Sequence, residues 1–192
     1  MDFNIVRILM NIDVQVDFIT GALANKTAEE RMPDLVKFVK EVNADLAVAT
    51  MDWHHKNYLE TMEGKRLNVP HCIAGTEGAK IEPEFLKALR EKFGKKKLKI
   101  AKKKTFGYYN WKKFFKRYFK DLGIEVINDG ENLEFVFIGF CTDICVISNV
   151  MLIKALFPNA RIIVKEKCCA GVDMDRHNTA LKAMQACHID VE

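Results

Sequence analysis

The feature that most limits what this chain can fold into is an alternation of two patterns. Short, almost continuous apolar runs are separated by stretches with helical periodicity. Residues 5–12 are apolar except for Arg7 and Asn11, and 46–51, 98–101, 135–139 and 162–164 are further runs of strand length. Between and after them, 35–42, 83–93, 111–122, 145–157 and 176–187 read as helices from their apolar spacing. Pro33 suits a helix start, Gly94 and Gly123 suit helix ends, and Pro158 closes another. Near-continuous apolar strands are covered on both faces, which predicts a central, mainly parallel sheet between two helical layers. Parallel crossovers are almost always right-handed, so the expected fold is a doubly wound, Rossmann-like α/β/α three-layer sandwich. Residues 53–78 have little periodicity, and a loop that long inside a compact domain is usually functional.

At 192 residues the chain is expected to form one domain, residues 1–192. A domain of that size buries about 70% of the surface its unfolded chain exposes, so it needs no disulfide staples. No stretch approaches the ~20 apolar residues of a membrane span. The N-terminus lacks a basic start and a small-residue cleavage site, and is expected to be a first strand. A cytosolic protein with six reduced thiols follows: Cys72, Cys141, Cys145, Cys168, Cys169 and Cys187.

The net charge of +4 is mild but unevenly spread. Eight lysines crowd residues 92–104, and aromatic and cationic residues interleave from Trp111 to Lys120. One reading is a nucleic-acid surface. The spacing of Trp111, Phe114, Phe115, Tyr118 and Phe119 favours another, an amphipathic helix with its aromatics in the core.

Ligands of open α/β sheets bind outside the carboxyl ends of the strands. The first apolar run is followed by Asp13, the second by Asp52-Trp53-His54, the third by Lys102, Lys103 and Lys104, and the fourth by Cys141, Thr142, Asp143 and Cys145. A thiol, a proton-accepting carboxylate and a cation would thus share one edge, as covalent catalysis requires. Cys145 falls in or just before the first turn of a helix, where the dipole favours a thiolate and free amides can receive an oxyanion. Asp52 and His54, two apart on an extended segment, can face one metal ion. His71 could supply a third ligand, with Glu60 or Glu63 close by.

These segments resemble the isochorismatase-like cysteine hydrolases, and among them the nicotinamidase branch. The resemblance rests on DVQVDF (13–18), MDWH (51–54), PHCIAGTEGAKI (70–81), GFCTDICV (139–146) and EKCCAGVDMDRHNTALKAM (166–184). It implies a catalytic set of Asp13, Lys103 and Cys145, with Lys104 as the alternative lysine. It implies an oxyanion hole from the amides of Cys141 and Cys145 beside a cis Phe140–Cys141 peptide. The metal ligands would be Asp52, His54, His71 and Glu63, with Glu60 as the alternative acid. They would hold one divalent ion, zinc first and iron or manganese next. The implied reaction is hydrolysis of nicotinamide to nicotinate and ammonia through a thioester, in NAD salvage. Phe18 would pack on the substrate ring, with Phe106 or Tyr108 opposite. The family's aromatic residue three before the second metal histidine is absent, because that position is Asn68. The departure keeps open a related substrate, such as an N-carbamoyl compound or a ureide. The expected partner is a small amide, without membrane or nucleic acid, and a homo-oligomer is left open.

Overall fold

The computed structural model describes residues 4–192. Six strands form one sheet: β1 (Val6–Ile12), β2 (Leu46–Asp52), β3 (Leu98–Lys103), β4 (Leu133–Phe140), β5 (Arg161–Ala170) and β6 (Asp190–Val191). Their order is β3-β2-β1-β4-β5-β6, and every pairing is parallel. The helices are α1 (Val16–Ile19), α2 (Lys26–Glu41), α3 (Met62–Arg66), α4 (Pro83–Lys97), α5 (Trp111–Leu122), α6 (Ile147–Leu156) and α7 (Met174–Ala186). The expected α/β sandwich is thus the observed fold.

Both faces of the sheet are dry because alternate strand residues are apolar on both sides. Ile8 and Met10 of β1 face a layer made by Trp111, Phe115 and Phe119 of α5, Val150 and Ile153 of α6, and Met184 of α7. Leu9, between them, faces the opposite layer with Leu35 and Val39 of α2 and Phe85 and Leu89 of α4. The basic helix α5 buries its aromatic stripe and turns Lys112, Lys113, Lys116, Arg117 and Lys120 to solvent. A fully buried side chain of that kind contributes about 1.5–3 kcal/mol, so packing on the sheet explains the interleaving. Gly123 ends the helix in the left-handed region at φ 69°.

Three elements differ from expectation. Helix α2 begins at Lys26, not near Pro33; Asn25 caps it by accepting the Ala28 N–H at 3.1 Å. Pro33 lies inside the helix on its exposed face, where a carbonyl freed by the missing N–H can reach water. The thiol-bearing segment is not the start of an α-helix: Thr142–Val146 forms a π-turn, and α6 begins at Ile147. The two-residue edge strand β6 carries no periodicity of its own. It pairs with β5 at Ile163↔Asp190 and Val164↔Val191.

The strand order reverses between β1 and β4, which opens a crevice at their carboxyl ends. Gly139 allows the two strands to close there. Its φ is +123°, and a Cβ would lie 2.0 Å from the Ile12 carbonyl oxygen.

Candidate active site

Asp13 follows β1 in a left-handed turn at φ 47°, a conformation aspartate tolerates better than most residues. Its N–H donates to Thr50 Oγ1 at 3.0 Å, and the Thr50 hydroxyl donates back to Asp13 Oδ1 at 2.6 Å. The other oxygen, Oδ2, lies 2.6 Å from Lys103 Nζ. In the β2–β3 register Asp52 sits opposite Lys103, so their side chains share a face and Nζ is 3.4 Å from Asp52 Oδ1. Lys103 Nζ is also 3.6 Å from Cys145 Sγ. Asp13, Lys103 and Cys145 are all buried. The structure therefore brings together the three residues expected from the sequence, and Lys103 rather than exposed Lys104 is the buried cation.

The electrostatics follow from dryness. Burial pushes the Asp13 carboxyl above its ordinary value, and the Lys103 ammonium offsets this only in part. Burial pulls the Lys103 ammonium down, but Asp13, Cys145 and Asp52 outweigh it and hold Lys103 above its usual range. Burial pushes the Cys145 thiol well up despite Lys103, with Asp13 and Asp52 adding to the rise. This runs against the expectation of a thiolate favoured by a helix dipole, because burial favours the neutral thiol. Cys141 is also raised, to about 12, mainly by burial.

The nucleophile segment is fixed from several sides. The Phe140–Cys141 peptide is cis. The Cys141 carbonyl accepts from the amides of Ile144 and Val146 at 3.1 and 3.0 Å. Asn149 Nδ2 donates to the Cys145 carbonyl at 2.7 Å, while its Oδ1 accepts from Trp111 Nε1 and the Tyr108 amide. Thr142 Oγ1 lies 2.8 Å from His177 Nδ1, and Asp143 accepts the Val172 N–H at 3.0 Å.

Beside the triad, one ligand atom each of Asp52, His54, Glu63 and His71 falls within 4.8 Å of all the others. His54 Nε2 is 2.9 Å from Asp52 Oδ2 and 3.5 Å from Glu63 Oε1; His71 Nε2 is 3.5 and 3.7 Å from the same two atoms. Glu63 Oε1 is buried and otherwise without a hydrogen-bond partner. His71 Nδ1 donates to the Val69 carbonyl at 2.8 Å, which turns Nε2 toward the carboxylates of Asp52 and Glu63. Two imidazoles and two carboxylates around one point fit a divalent transition ion such as zinc. Burial raises the Asp52 carboxyl, but hydrogen bonds from His54 and His71 and the Lys103 charge outweigh it and hold Asp52 below the ordinary range. Glu60 is exposed on the 3-10 turn Tyr58–Glu60 and lies outside this group.

Side chains not anticipated from the sequence hold these ligands. Gln15 Oε1 accepts the Asp52 N–H at 2.7 Å, and its Nε2 donates to the Asp52 and Ala79 carbonyls at 2.9 Å each. Tyr58 packs its ring edge-on against both histidines, at 4.7 and 5.0 Å. Asp17 accepts the amides of Ala22 and Cys72, anchoring the backbone next to His71. The available signal was a polar residue set among apolar neighbours, as Thr50 and Gln15 are.

Cys141, Cys145 and the four members of the donor set line one cavity of about 1420 Å³, with Asp13 and Lys103 behind its wall. Phe18 lines it, 5.5 Å from His71 ring to ring, and so does Phe106. Tyr108 does not. Its half-buried ring packs on Trp111 at 4.8 Å, away from the lining. Asn68 is exposed and is not part of the lining.

Comparison with known proteins agrees with this fold. The chain is similar to a nicotinamidase/pyrazinamidase from Bacillus subtilis, with a TM-score of 0.79, 21% identity, and 97% of this chain and 99% of that one covered. It is similar to the pyrazinamidase of Pyrococcus horikoshii in complex with zinc, with a TM-score of 0.70, 21% identity and coverage of 97% and 98%. A third similar structure is an L. infantum protein in complex with nicotinate, with a TM-score of 0.73, 15% identity and coverage of 100% and 96%. No curated protein sequence matches the chain. The Isochorismatase domain family model matches residues 7–192, and the chain belongs to that family of hydrolases.

Proposed function

We propose that the protein is a cysteine amidohydrolase that cleaves a pyridine carboxamide, nicotinamide first, to the carboxylate and ammonia, serving NAD salvage in the cytosol. The observation that carries this reading is the contact chain Asp13–Lys103–Cys145 behind a cavity that Cys145 lines together with the Asp52, His54, Glu63 and His71 donor set. A nucleophile, a buried base and a fixed cation serve acyl transfer. The donor set would hold a divalent ion, which when bound supplies an acceptor for a substrate lone pair such as a ring nitrogen.

In this mechanism Phe18 and Phe106 hold the ring and exclude water. Asp13 takes the Cys145 proton as sulfur attacks the carboxamide carbon, because the buried thiol does not ionise unaided. Lys103 keeps Asp13 and the forming thiolate charged in a dry site. The amides of Cys141 and Cys145 receive the oxyanion. Asp13 returns the proton to the leaving ammonia, and water then cleaves the thioester.

The test is ammonia release from nicotinamide by zinc-loaded protein, beside Cys145→Ala. Release at least about 10⁴-fold above the variant is expected. Equal release from both proteins would remove Cys145 from the reaction. No release from folded, metal-loaded protein would reject nicotinamide and direct attention to carbamoyl and ureide amides.

A further inference from the structure

Away from the amide-cleaving end, the cavity carries charge of one sign. Asp52 and Glu63 belong to the donor set; the other ionised side chains in the lining are Lys26, Arg66, Lys104 and Arg176. All four are exposed, so they occupy the solvent side of the cavity. They come from four separate segments: the start of α2, the end of α3, the residue after β3, and α7. A run of charge on one helix face would not produce that convergence. Among the described residues Arg66 and Lys104 have no ion-pair partner. Lys26 and Arg176 have only exposed neighbours, Glu30 at 3.7 Å and Asp173 at 3.5 Å. No carboxylate in the lining balances the four on that side.

Size points the same way. The cavity, about 1420 Å³, exceeds the roughly 300–1,000 Å³ of sites that enclose a drug-sized ligand. A single-ring amide against Phe18 would leave most of it unfilled. The remaining lining includes apolar side chains, among them Leu23, Met62, Leu67 and Ile144.

Resting on the amidase reading above, we propose that the preferred substrate is an amide on an extended apolar body. It carries an anionic group, carboxylate or phosphate, at the end remote from the carboxamide. Arg66 and Lys104 hold that group. Asn68 then needs no aromatic replacement, because the body and its charge contribute the binding that a stacked ring supplies elsewhere.

The test uses nicotinamide with a carboxybutyl chain on the ring carbon meta to its carboxamide, the methyl ester of that compound, and the matching phosphonate. Binding is measured by calorimetry on zinc-loaded Cys145→Ala protein, with and without Arg66→Met and Lys104→Met together. The acid should bind about fivefold tighter than the ester at low salt, and the preference should fall toward unity at about 0.5 M salt. It should also vanish in the double variant. A phosphonate stronger than the acid assigns a phosphate-bearing substrate, and the reverse order assigns a carboxylate. Equal binding of acid and ester overturns the proposal. So does a preference that survives the double variant, since Arg66 and Lys104 would then not be the anion's partners. Ammonia release by the unmodified protein reads the amidase separately. Cleavage of nicotinamide without an acid preference overturns only the anionic substrate; failure to cleave any of the amides overturns both.

Discussion

Replacing Lys103 with Met removes a charge from the centre of the site and keeps most of the buried volume. The Lys103 side chain is fully buried, with Asp13 at 2.6 Å and Asp52 at 3.4 Å, themselves 0% and 2% exposed. The substitution leaves two carboxylates in a dry space without their cation. Removing one partner of a buried ion pair costs about 3–5 kcal/mol, because the remaining charge is uncompensated. For a domain of this size each kcal/mol lowers Tm by about 2–4 °C, so a fall of about 6–20 °C is expected. The loss should depend on pH with a definite sign. Asp13 already titrates above its ordinary 3.8 in the folded protein, and Lys103 is the neighbour that restrains the rise. A carboxyl raised in the folded state contributes stability below its unfolded pKa and loses it as pH rises through the folded one. The deficit of Lys103→Met against the unmodified protein should therefore widen as pH rises above the ordinary carboxyl range. The assay is urea unfolding of both proteins with a chelator present, at several pH values. Asp13→Asn combined with Lys103→Met should recover at least about 1.5 kcal/mol, since contacting residues in one network couple by 0.5–3 kcal/mol. A loss under about 1 kcal/mol at pH 7, or strict additivity of the two substitutions, would refute the buried charge network.

Gly139→Ala should destabilise by about 3 kcal/mol or more and fail to rescue on added metal, because the new Cβ meets the Ile12 backbone at 2.0 Å with φ at +123°; a wild-type urea midpoint would contradict the close approach of β1 and β4. Free zinc at about 100 times its Kd should stabilise the protein by about 2.7 kcal/mol in a thermal scan. Glu63→Gln should weaken that zinc response measurably and Glu60→Gln should not, so equal responses would displace Glu63 from the donor set. Maleimide labelling followed by mass spectrometry should mark Cys187 first, the one exposed thiol among the six. Cys145 should react slowly at pH 7 and faster as pH rises, because burial holds its thiol protonated; prompt neutral-pH labelling of Cys145 would show a thiolate instead.

What the sequence made legible and what it hid divide along a physical line. Strand and helix identity come from local periodicity, so the parallel sheet, the buried face of α5 and the end of α5 at Gly123 could all be read directly. The edge strand β6 could not, because two residues carry no period and pair only after β5 is in place. Pro33 misled for a related reason. A proline is a helix-start signal only when the residues before it cannot form a helix, and Asn25 had already capped one. At the site, Asp13, Asp52, Lys103 and Cys145 stand out because each polar or reactive residue follows an apolar run at a carboxyl edge. Their juxtaposition becomes definite only through register: Asp52↔Lys103 across β2–β3, and Ile12↔Gly139 across β1–β4.

The protonation state of Cys145 shows where position stops being a guide. A thiol before a helix reads as a thiolate when it borders solvent, since the dipole is then the largest influence. Here Cys145 lies inside a π-turn, its sulfur is buried, and the nearest carboxylates oppose ionisation. Desolvation outweighs the single cation at 3.6 Å. The same dryness that keeps the resting thiol neutral makes Lys103 more effective once a proton has moved to Asp13, because charges attract more strongly where water is excluded. The buried base, the cation and the raised thiol are thus one arrangement, and its chemistry depends on burial that no residue's place in the sequence displays.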